Sequence, residues 1–300
     1  MASAAQNRRG IIAMLIAMTL FVGNDTLMKL AREVYPAGQA IALRAIFAIS
    51  AGLALVFIFG EARKIGMALK PIVLLRGVIE AMVALTFIWA LAGLPLGDIT
   101  AILMASPLII VVIAVVLKIE RVGWRRAAAL VVGFVGVLIV IRPAPESFNA
   151  AAILALISAV LVAARDLMTR KIGSDVPSTV VSLTTTVIVA ATSLGVGLFE
   201  SWQPAWRVET AYLAVAAVLV TLGSLLIVIA FRDTDVGIVS GYRYSVVVIA
   251  VLIGYLVWGD IPAPSAAFGI ALIVGSGLYT LHRARVRPDS KLKLESGPTP

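Results

Sequence analysis

The chain has 300 residues, of which 61% are hydrophobic and 14% charged, and its mean hydropathy is +1.05. A soluble core of this length cannot hide so much apolar surface, so lipid must be the solvent for much of the chain. With no cysteine and one histidine, His282, the sequence cannot build a disulfide, a thiolate nucleophile, a His-based triad or a zinc or haem site. We therefore expect no metal, no cofactor and no enzyme.

Apolar stretches of about 20 residues, the length that crosses the hydrocarbon layer, recur along the whole chain. They predict an all-α integral membrane protein with ten transmembrane helices. The loops 93–97 and 259–263 are so short that neighbouring spans must form antiparallel hairpins. The predicted spans are 10–31, 38–60, 71–92, 98–117, 125–142, 149–169, 177–198, 209–231, 236–258 and 264–282.

The basic residues of this chain, whose net charge is +9, lie mostly in short loops and in the polar tail 284–300. With a cytoplasmic N-terminus, 17 Lys and Arg residues fall on the inner side and 4 on the outer side. Cytoplasmic loops carry such an excess, so both termini are predicted to be cytoplasmic. The same distribution argues against nucleic acid as a partner, because no single soluble face is basic.

The two halves of the chain show an internal repeat. A constant offset of 140 aligns several pairs without a gap, for example Gly97 with Gly237, Glu120 with Asp260 and Ala127 with Ala267. Nearer the start of each half the offset is 141, which places Asp25 on Asp166. The repeats are predicted at 10–142 and 149–282. Five crossings per half make the second copy inverted, an arrangement typical of secondary transporters.

The segments 107–143 and 242–277 resemble the paired EamA domains of the drug/metabolite transporter superfamily, in which each repeat closes on an acidic hairpin residue. Glu120 and Asp260 hold that place here. Asn24-Asp25 followed by Lys29, Arg44, Leu75-Arg76-Gly77 and Tyr242-Arg243-Tyr244 resemble a bacterial branch that includes S-adenosylmethionine and riboflavin carriers.

The resemblance implies a secondary transporter in the cytoplasmic (inner) membrane of a bacterium. Its substrate is expected to be a small organic metabolite of heteroaromatic or cofactor-like type, moved with or without protons. Export of amino acids or cationic drugs is the alternative within transport. A channel or a membrane scaffold without alternating access is the alternative of another class.

Ionisable side chains within a span mark a pathway or a buried structural pair. Asn24, Asp25 and Arg44 are candidates for substrate binding or coupling. Asp25 either titrates and couples proton movement or pairs with Lys29 one turn away.

The cluster Tyr242-Arg243-Tyr244 is a candidate for substrate recognition, because it offers an Arg fork and aromatic faces. On a helix these three side chains point about 100° apart, so Arg243 is expected to act with one tyrosine. The alternative is that Arg243 binds the carbonyls of a neighbouring helix for packing.

Other residues of the spans have a structural interpretation. Arg76 and Glu80, spaced i,i+4, are predicted to be a structural ion pair. Trp89 fits either an interfacial aromatic belt or a stacking wall for a flat ligand. Arg165 and Asp166 near the inner end of span six are interpreted as orientation signals.

Two further patterns concern packing. Pro107 removes a hydrogen bond to Leu103 and predicts a kink in span four. Small residues at Ala129 and Gly133, and at Ala271 and Gly275, allow close helix contact. We favour contact within one chain, and a homodimer stays open. Besides the substrate, membrane lipid is expected as a partner of the chain.

Overall fold

The computed structural model describes residues 4–116, 124–141, 150–169, 171–173, 175–231, 239 and 242–286. The elements of this part of the chain are helices joined by short loops. Two segments, Ala62–Leu69 and Tyr242–Tyr244, are 3-10 helices. The α-helices are α1 Ala4–Arg32, α2 Ala37–Ile58, α3 Pro71–Gly93, α4 Leu96–Leu103, α5 Ser106–Val116, α6 Trp124–Ile141, α7 Ala150–Thr169, α8 Ser178–Gly197, α9 Val208–Phe231, α10 Ser245–Trp258 and α11 Pro264–Val286.

The helices account for the ten predicted spans. In the described residues, seven helical stretches are long and apolar enough to cross a membrane, and the fourth of these joins α4 to α5. Shorter apolar helices at 127–140, 242–258 and 264–280 are the fifth, ninth and tenth spans. The predicted all-α architecture of ten membrane helices is confirmed. Helix α11 continues to Val286, and the rest of the tail lies outside the described residues.

The fourth span is interrupted, and the described part of the ninth span begins with a 3-10 turn. Helix α4 ends at Leu103 and α5 begins at Ser106, in agreement with the kink predicted from Pro107, which has no N–H to donate to the Leu103 carbonyl. At the equivalent place in the second half, Tyr242–Tyr244 form a 3-10 turn. These three residues continue directly into α10, so the described part of the predicted ninth span is helical from Tyr242 to Trp258.

Eight of the ten spans close into a ring. Helix α1 packs on α9, α9 on α2, α2 on α8 and α8 on α3. The ring continues from α3 to α7, from α7 to α4 and α5, from α4 to α10, and from α10 back to α1. Helices α6 and α11 pack on each other and on α4, outside this ring. The ring therefore has an interior onto which polar side chains can face away from lipid.

Exchanging the two halves leaves this pattern of contacts unchanged. The contact of α1 with α9 corresponds to that of α7 with α3, and the contact of α2 with α9 corresponds to that of α8 with α3. In the pairs α2–α8, α4–α10 and α6–α11 the two helices are repeat equivalents of each other, so the exchange leaves each pair the same. Because each half crosses the membrane five times, the halves are inverted copies. We call the membrane face at which α1 begins the near face and the opposite one the far face.

The α2–α8 pair carries an acidic residue at each end. At the far face, Glu200 accepts hydrogen bonds from the backbone N–H groups of Gly38 (3.1 Å) and Gln39 (3.3 Å), which lack partners within the first turn of α2. At the near face, the hydroxyl of Thr179, in the first turn of α8, donates to Glu61. These contacts at the two helix starts are related by the inverted repeat.

The far end of this pair is also tied by a buried amide. Gln39 is fully buried, and its side chain exchanges two hydrogen bonds with the backbone of Gln203, at 2.6 and 2.8 Å. At the near face an exposed ion pair joins Lys70 to Asp175 at 2.5 Å, and the bond from Lys70 holds the pKa of Asp175 below its ordinary value. The far end of the pair is thus joined by a fully buried amide, whereas the near end adds an exposed ion pair to the partly buried contact of Thr179 with Glu61.

Glycines permit the close crossing of α6 and α11. A Cβ on Gly136 would lie 2.7 Å from the Gly269 carbonyl oxygen, and the reverse distance is also 2.7 Å. Gly133 likewise faces Ser276 within the chain. A Cβ on Gly275, by contrast, would have no neighbouring atom within 4 Å.

Candidate substrate site

The far cluster consists of Asn24, Asp25 and Arg44. Arg44 on α2 donates from Nη1 to Asn24 Oδ1 at 3.1 Å, and Asn24 Nδ2 donates to Asp25 Oδ1 at 2.9 Å. The Arg44 bond therefore joins α1 to α2, and both helices also pack on α9. In the described residues no ion pair within 4.0 Å joins Asp25 to Arg44. One neutral amide therefore separates the Asp25 carboxyl group from the Arg44 guanidinium, and both side chains are partly accessible.

The near cluster is a network of four charged residues on α3 and α7. Arg165 Nη1 donates to both carboxylate oxygens of Glu80, at 3.1 and 3.2 Å, and Arg165 Nη2 contacts Asp166 Oδ1 at 2.8 Å. Arg76 Nη2 lies 3.6 Å from Glu80 Oε2. Two cations and two carboxylates thus neutralise one another.

Threonine hydroxyls complete the near cluster. Arg76 Nη1 donates to Thr185 on α8 at 2.6 Å, and Arg76 Nε donates to Thr169 on α7 at 3.1 Å. Together with the ion pair to Glu80, these bonds occupy every nitrogen of the Arg76 guanidinium. Each charged side chain of the near cluster therefore has at least one partner within the protein.

The two clusters lie at different depths. At 1.5 Å per residue, Asp25 and Arg44 are each about 10 Å from the far end of their helices. Glu80 lies about 14 Å from the near end of α3, and Arg165 about 6 Å from the near end of α7. Arg44 also interacts electrostatically with Glu80. The two charged clusters thus occupy different levels along the helix axes.

Of the two alternatives for Asp25, the pair with Lys29 is not formed, because Lys29 has other partners. Its Nζ donates to the Leu94 carbonyl at 2.8 Å, lies 3.9 Å from Asp260 Oδ2, and sits 4.7 Å from the centre of the Trp258 ring. The hairpin residue Asp260 thus ties the start of α11 to α1. Its repeat mate Glu120 lies outside the described residues.

Trp89 lies away from both clusters. It is nine residues from Glu80 on α3, which corresponds to half a turn around the helix axis. Its side chain is 41% exposed and shares a face with the exposed side chains of Val78 and Met82. This face points away from the α7 and α8 contacts of α3, as expected for an aromatic residue at the membrane interface.

The turn Tyr242–Tyr244 separates its three side chains. Tyr244 is 4% exposed and packs against Gly277 of α11, outside the ring, and its hydroxyl has no hydrogen-bond partner in the described part of the chain. Tyr242 is 41% exposed. Arg243 is partly accessible, and the described residues offer it no ion pair or hydrogen bond.

The sequence analysis missed the contacts of three residues in the near cluster. It interpreted Arg165 and Asp166 as orientation signals, and it did not consider Thr185. A signal was present: the offset of 141 places Asn24 on Arg165, Asp25 on Asp166, and Arg44 on Thr185. The two clusters therefore contain residues at equivalent positions of the two repeats.

A closed ring of spans with ionised groups inside, built from two inverted halves, defines the class of the protein as a polytopic membrane transporter. The charges of the near cluster are compensated within the protein, which makes them tolerable at these depths.

The chain belongs to the EamA-like transporter family, which matches residues 8–142 and 149–281. Its similarity to curated relatives is low. It is 25% identical to an S-adenosylmethionine uptake transporter of Rickettsia prowazekii (74% of this chain, 76% of the relative) and 28% identical to a riboflavin transporter of Rhizobium johnstonii (73% and 72%). It is 24% identical to a pseudopaline exporter of Pseudomonas aeruginosa (89% and 94%).

A solved crystal structure shares the fold. It has a TM-score of 0.64 and 20% sequence identity, and the match covers 96% of this chain and 100% of the other. This likeness supports the arrangement of the helices.

Proposed function

We propose that the chain is a secondary transporter of a bacterial cytoplasmic membrane and carries a small organic metabolite of cofactor-like or heteroaromatic type. The observation that carries this proposal is the far cluster, in which Asp25 and Arg44 are linked through Asn24 without contacting each other directly. The names of the uptake relatives support the substrate class.

The far cluster suits a substrate with a donor and an acceptor close together. Arg44 bonds to Asn24 through one nitrogen only, so its fork can still receive a carboxylate or a ring carbonyl. The second oxygen of Asp25 can accept from an ammonium or ring N–H group. An amino-acid head or a ring imide supplies both groups and would join the anion to the cation.

Protons are the proposed coupling ion, and Asp25 is the proposed coupling residue. An unpaired carboxylate inside a span costs free energy unless it is protonated or lies near a cation. A proton and a cationic group of the substrate can therefore replace each other on Asp25. The near cluster, whose charged side chains have partners within the protein, would hold α3 and α7 together while the ring opens alternately to the two faces.

We also propose that both termini are cytoplasmic, which makes the near face the inner one. The chain has no natural cysteine, so single cysteines can report the orientation. A cysteine replacing Ser201, exposed at the far face, should react with an impermeant thiol reagent in intact cells. One replacing Ser290, in the tail outside the described residues, should not. The opposite pattern would reverse the orientation.

Counterflow tests the transport proposal directly. Proteoliposomes preloaded with unlabelled riboflavin or S-adenosylmethionine should take up the labelled compound faster than empty ones, because a carrier exchanges substrate across the membrane. A channel would equilibrate label without this acceleration, and a scaffold would take up none. An Arg44→Ala variant in matched liposomes is the negative control.

Export is the second candidate, favoured by the exporter relative, whose alignment covers more of the chain than those of the two uptake relatives. Right-side-out and inverted vesicles energised with a proton gradient separate the two directions. Accumulation only in inverted vesicles would establish export, and accumulation only in right-side-out vesicles would establish uptake.

A further inference from the structure

A groove of about 710 Å³ opens between α1 and α9 at the near face, away from the ring interior. Two arginines, Arg8 and Arg9, lie at its mouth, and its deeper walls are apolar: Ile12, Ala13, Ile16 and Leu226. The charged and apolar parts are therefore arranged along the membrane normal.

The two arginines have no anionic partner within the described part of the chain, and both side chains are exposed. Arg8, Ile12 and Ile16 follow one another at i,i+4 spacing, so they line one face of α1. At 1.5 Å per residue, Ile12 lies about 6 Å and Ile16 about 12 Å deeper than Arg8. Ile12 and Ile16 are 48% and 46% exposed.

We propose that this groove is a binding site for an anionic phospholipid. The phosphate is bound by Arg8 and Arg9, and one acyl chain lies along Ile12, Ile16 and Leu226. The depths of Ile12 and Ile16 below Arg8 match a phospholipid, whose charged headgroup lies at the interface while its acyl chain enters the hydrocarbon layer. A zwitterionic lipid satisfies the site less well, because its own ammonium repels the two guanidinium groups.

The site has a consequence for the transporter because of the helix on which it lies. Helix α1 also carries Asn24 and Asp25, and α9 is its neighbour in the ring. A lipid that bridges α1 and α9 stabilises that contact, since a ligand that binds the folded state raises its apparent stability. The inference does not depend on which metabolite is carried.

The test is the thermal unfolding of the full chain in detergent with added phosphatidylglycerol, phosphatidylcholine or inorganic phosphate. Phosphatidylglycerol should raise the Tm in a concentration-dependent manner, and the other two should not. The double variant Arg8→Gln/Arg9→Gln should lose this rise. The matched control Arg63→Gln/Lys64→Gln removes two exposed charges from the 3-10 segment at the same face and should keep it.

A variant that fills the groove tests the acyl contact separately. Leu226→Trp keeps both arginines and should weaken the effect of phosphatidylglycerol. Should the double arginine variant fold poorly, native mass spectrometry of the wild-type protein from mixed lipid replaces it, with retained phosphatidylglycerol in excess over phosphatidylcholine as the expected result. Equal retention of the two lipids, an unchanged Tm rise in the arginine variant, or an equal rise with inorganic phosphate overturns the proposal.

Discussion

The far and near clusters begin at equivalent positions of the two repeats and differ in how their charges are partnered. In the near cluster, Arg165 bonds Glu80 and Asp166 directly. In the far cluster, an amide stands between Asp25 and Arg44. Asp25 and Asp166 are the same residue type at the same repeat position. Inverted duplication has therefore left one site closed by its own partners and one site with free bonding capacity.

This difference separates stability from function. A network whose charges are all paired holds helices together, and loss of one member leaves an uncompensated charge. A site whose charges are not joined can exchange a partner. We therefore expect substitutions in the near cluster to change mainly the free energy of unfolding and those in the far cluster to change mainly transport.

The largest effect is expected for Glu80→Gln. This change leaves Arg76 and Arg165 with Asp166 as the one remaining carboxylate of the near cluster. The free energy of unfolding should fall by about 3 kcal/mol, as for other broken interior ion pairs. Denaturant unfolding in detergent measures it. The double variant Arg76→Gln/Glu80→Gln restores neutrality and should recover part of the loss. A Glu80→Gln protein as stable as wild type would contradict the structural role of the network.

The second largest effect is expected for Asp25→Asn, which should slow transport. The substitution keeps the shape of the side chain and an oxygen that accepts from Asn24, but removes the anion. A hydrogen bond to a charged group contributes about 2 kcal/mol, so the initial transport rate should fall by about thirtyfold. Its pH dependence should disappear, while the unfolding free energy changes little.

Asp166→Asn is the matched control, since it makes the same change at the repeat-equivalent position. It should lower stability more than Asp25→Asn does and transport less. An Asp25→Asn protein that retains fully pH-dependent transport would remove the coupling role from this residue.

A smaller effect is expected for Arg44→Lys. The charge is kept, but the planar fork that can hold a carboxylate or carbonyl is lost. The KM for substrate should rise by about tenfold, or about 1.4 kcal/mol, with the unfolding free energy nearly unchanged. Arg76→Lys, in the near cluster, should show the reverse: a loss of stability with little change in KM. Identical effects of the two variants on KM would mean that the clusters do not differ in function.

The smallest effect is expected for Arg243→Lys, beyond both clusters. We propose that Arg243, which is partly accessible at the described start of the ninth span, contacts substrate on its way through the ring. The KM should rise by about threefold, or about 0.7 kcal/mol. Expression and melting temperature serve as the control for folding. Unchanged affinity and rate in a correctly inserted variant would assign Arg243 to packing.

The sequence by itself determined the ten membrane spans, the interruption at Pro107 and the inverted relation of the two halves. These properties follow from local hydropathy, from one missing N–H group and from an odd number of crossings, none of which depends on the positions of distant helices. The same patterns drew attention to Asn24, Asp25 and Arg44.

Only the tertiary structure decided which side chains meet. Lys29 and Asp25 are one turn apart in the sequence, yet Lys29 bonds Leu94 and lies near Asp260. Arg165 reaches Glu80 on another helix. Such pairs depend on the order of helices around the ring and on the rotation of each helix about its axis. Both are set by the packing of whole helices against one another, so no single segment of the sequence contains them.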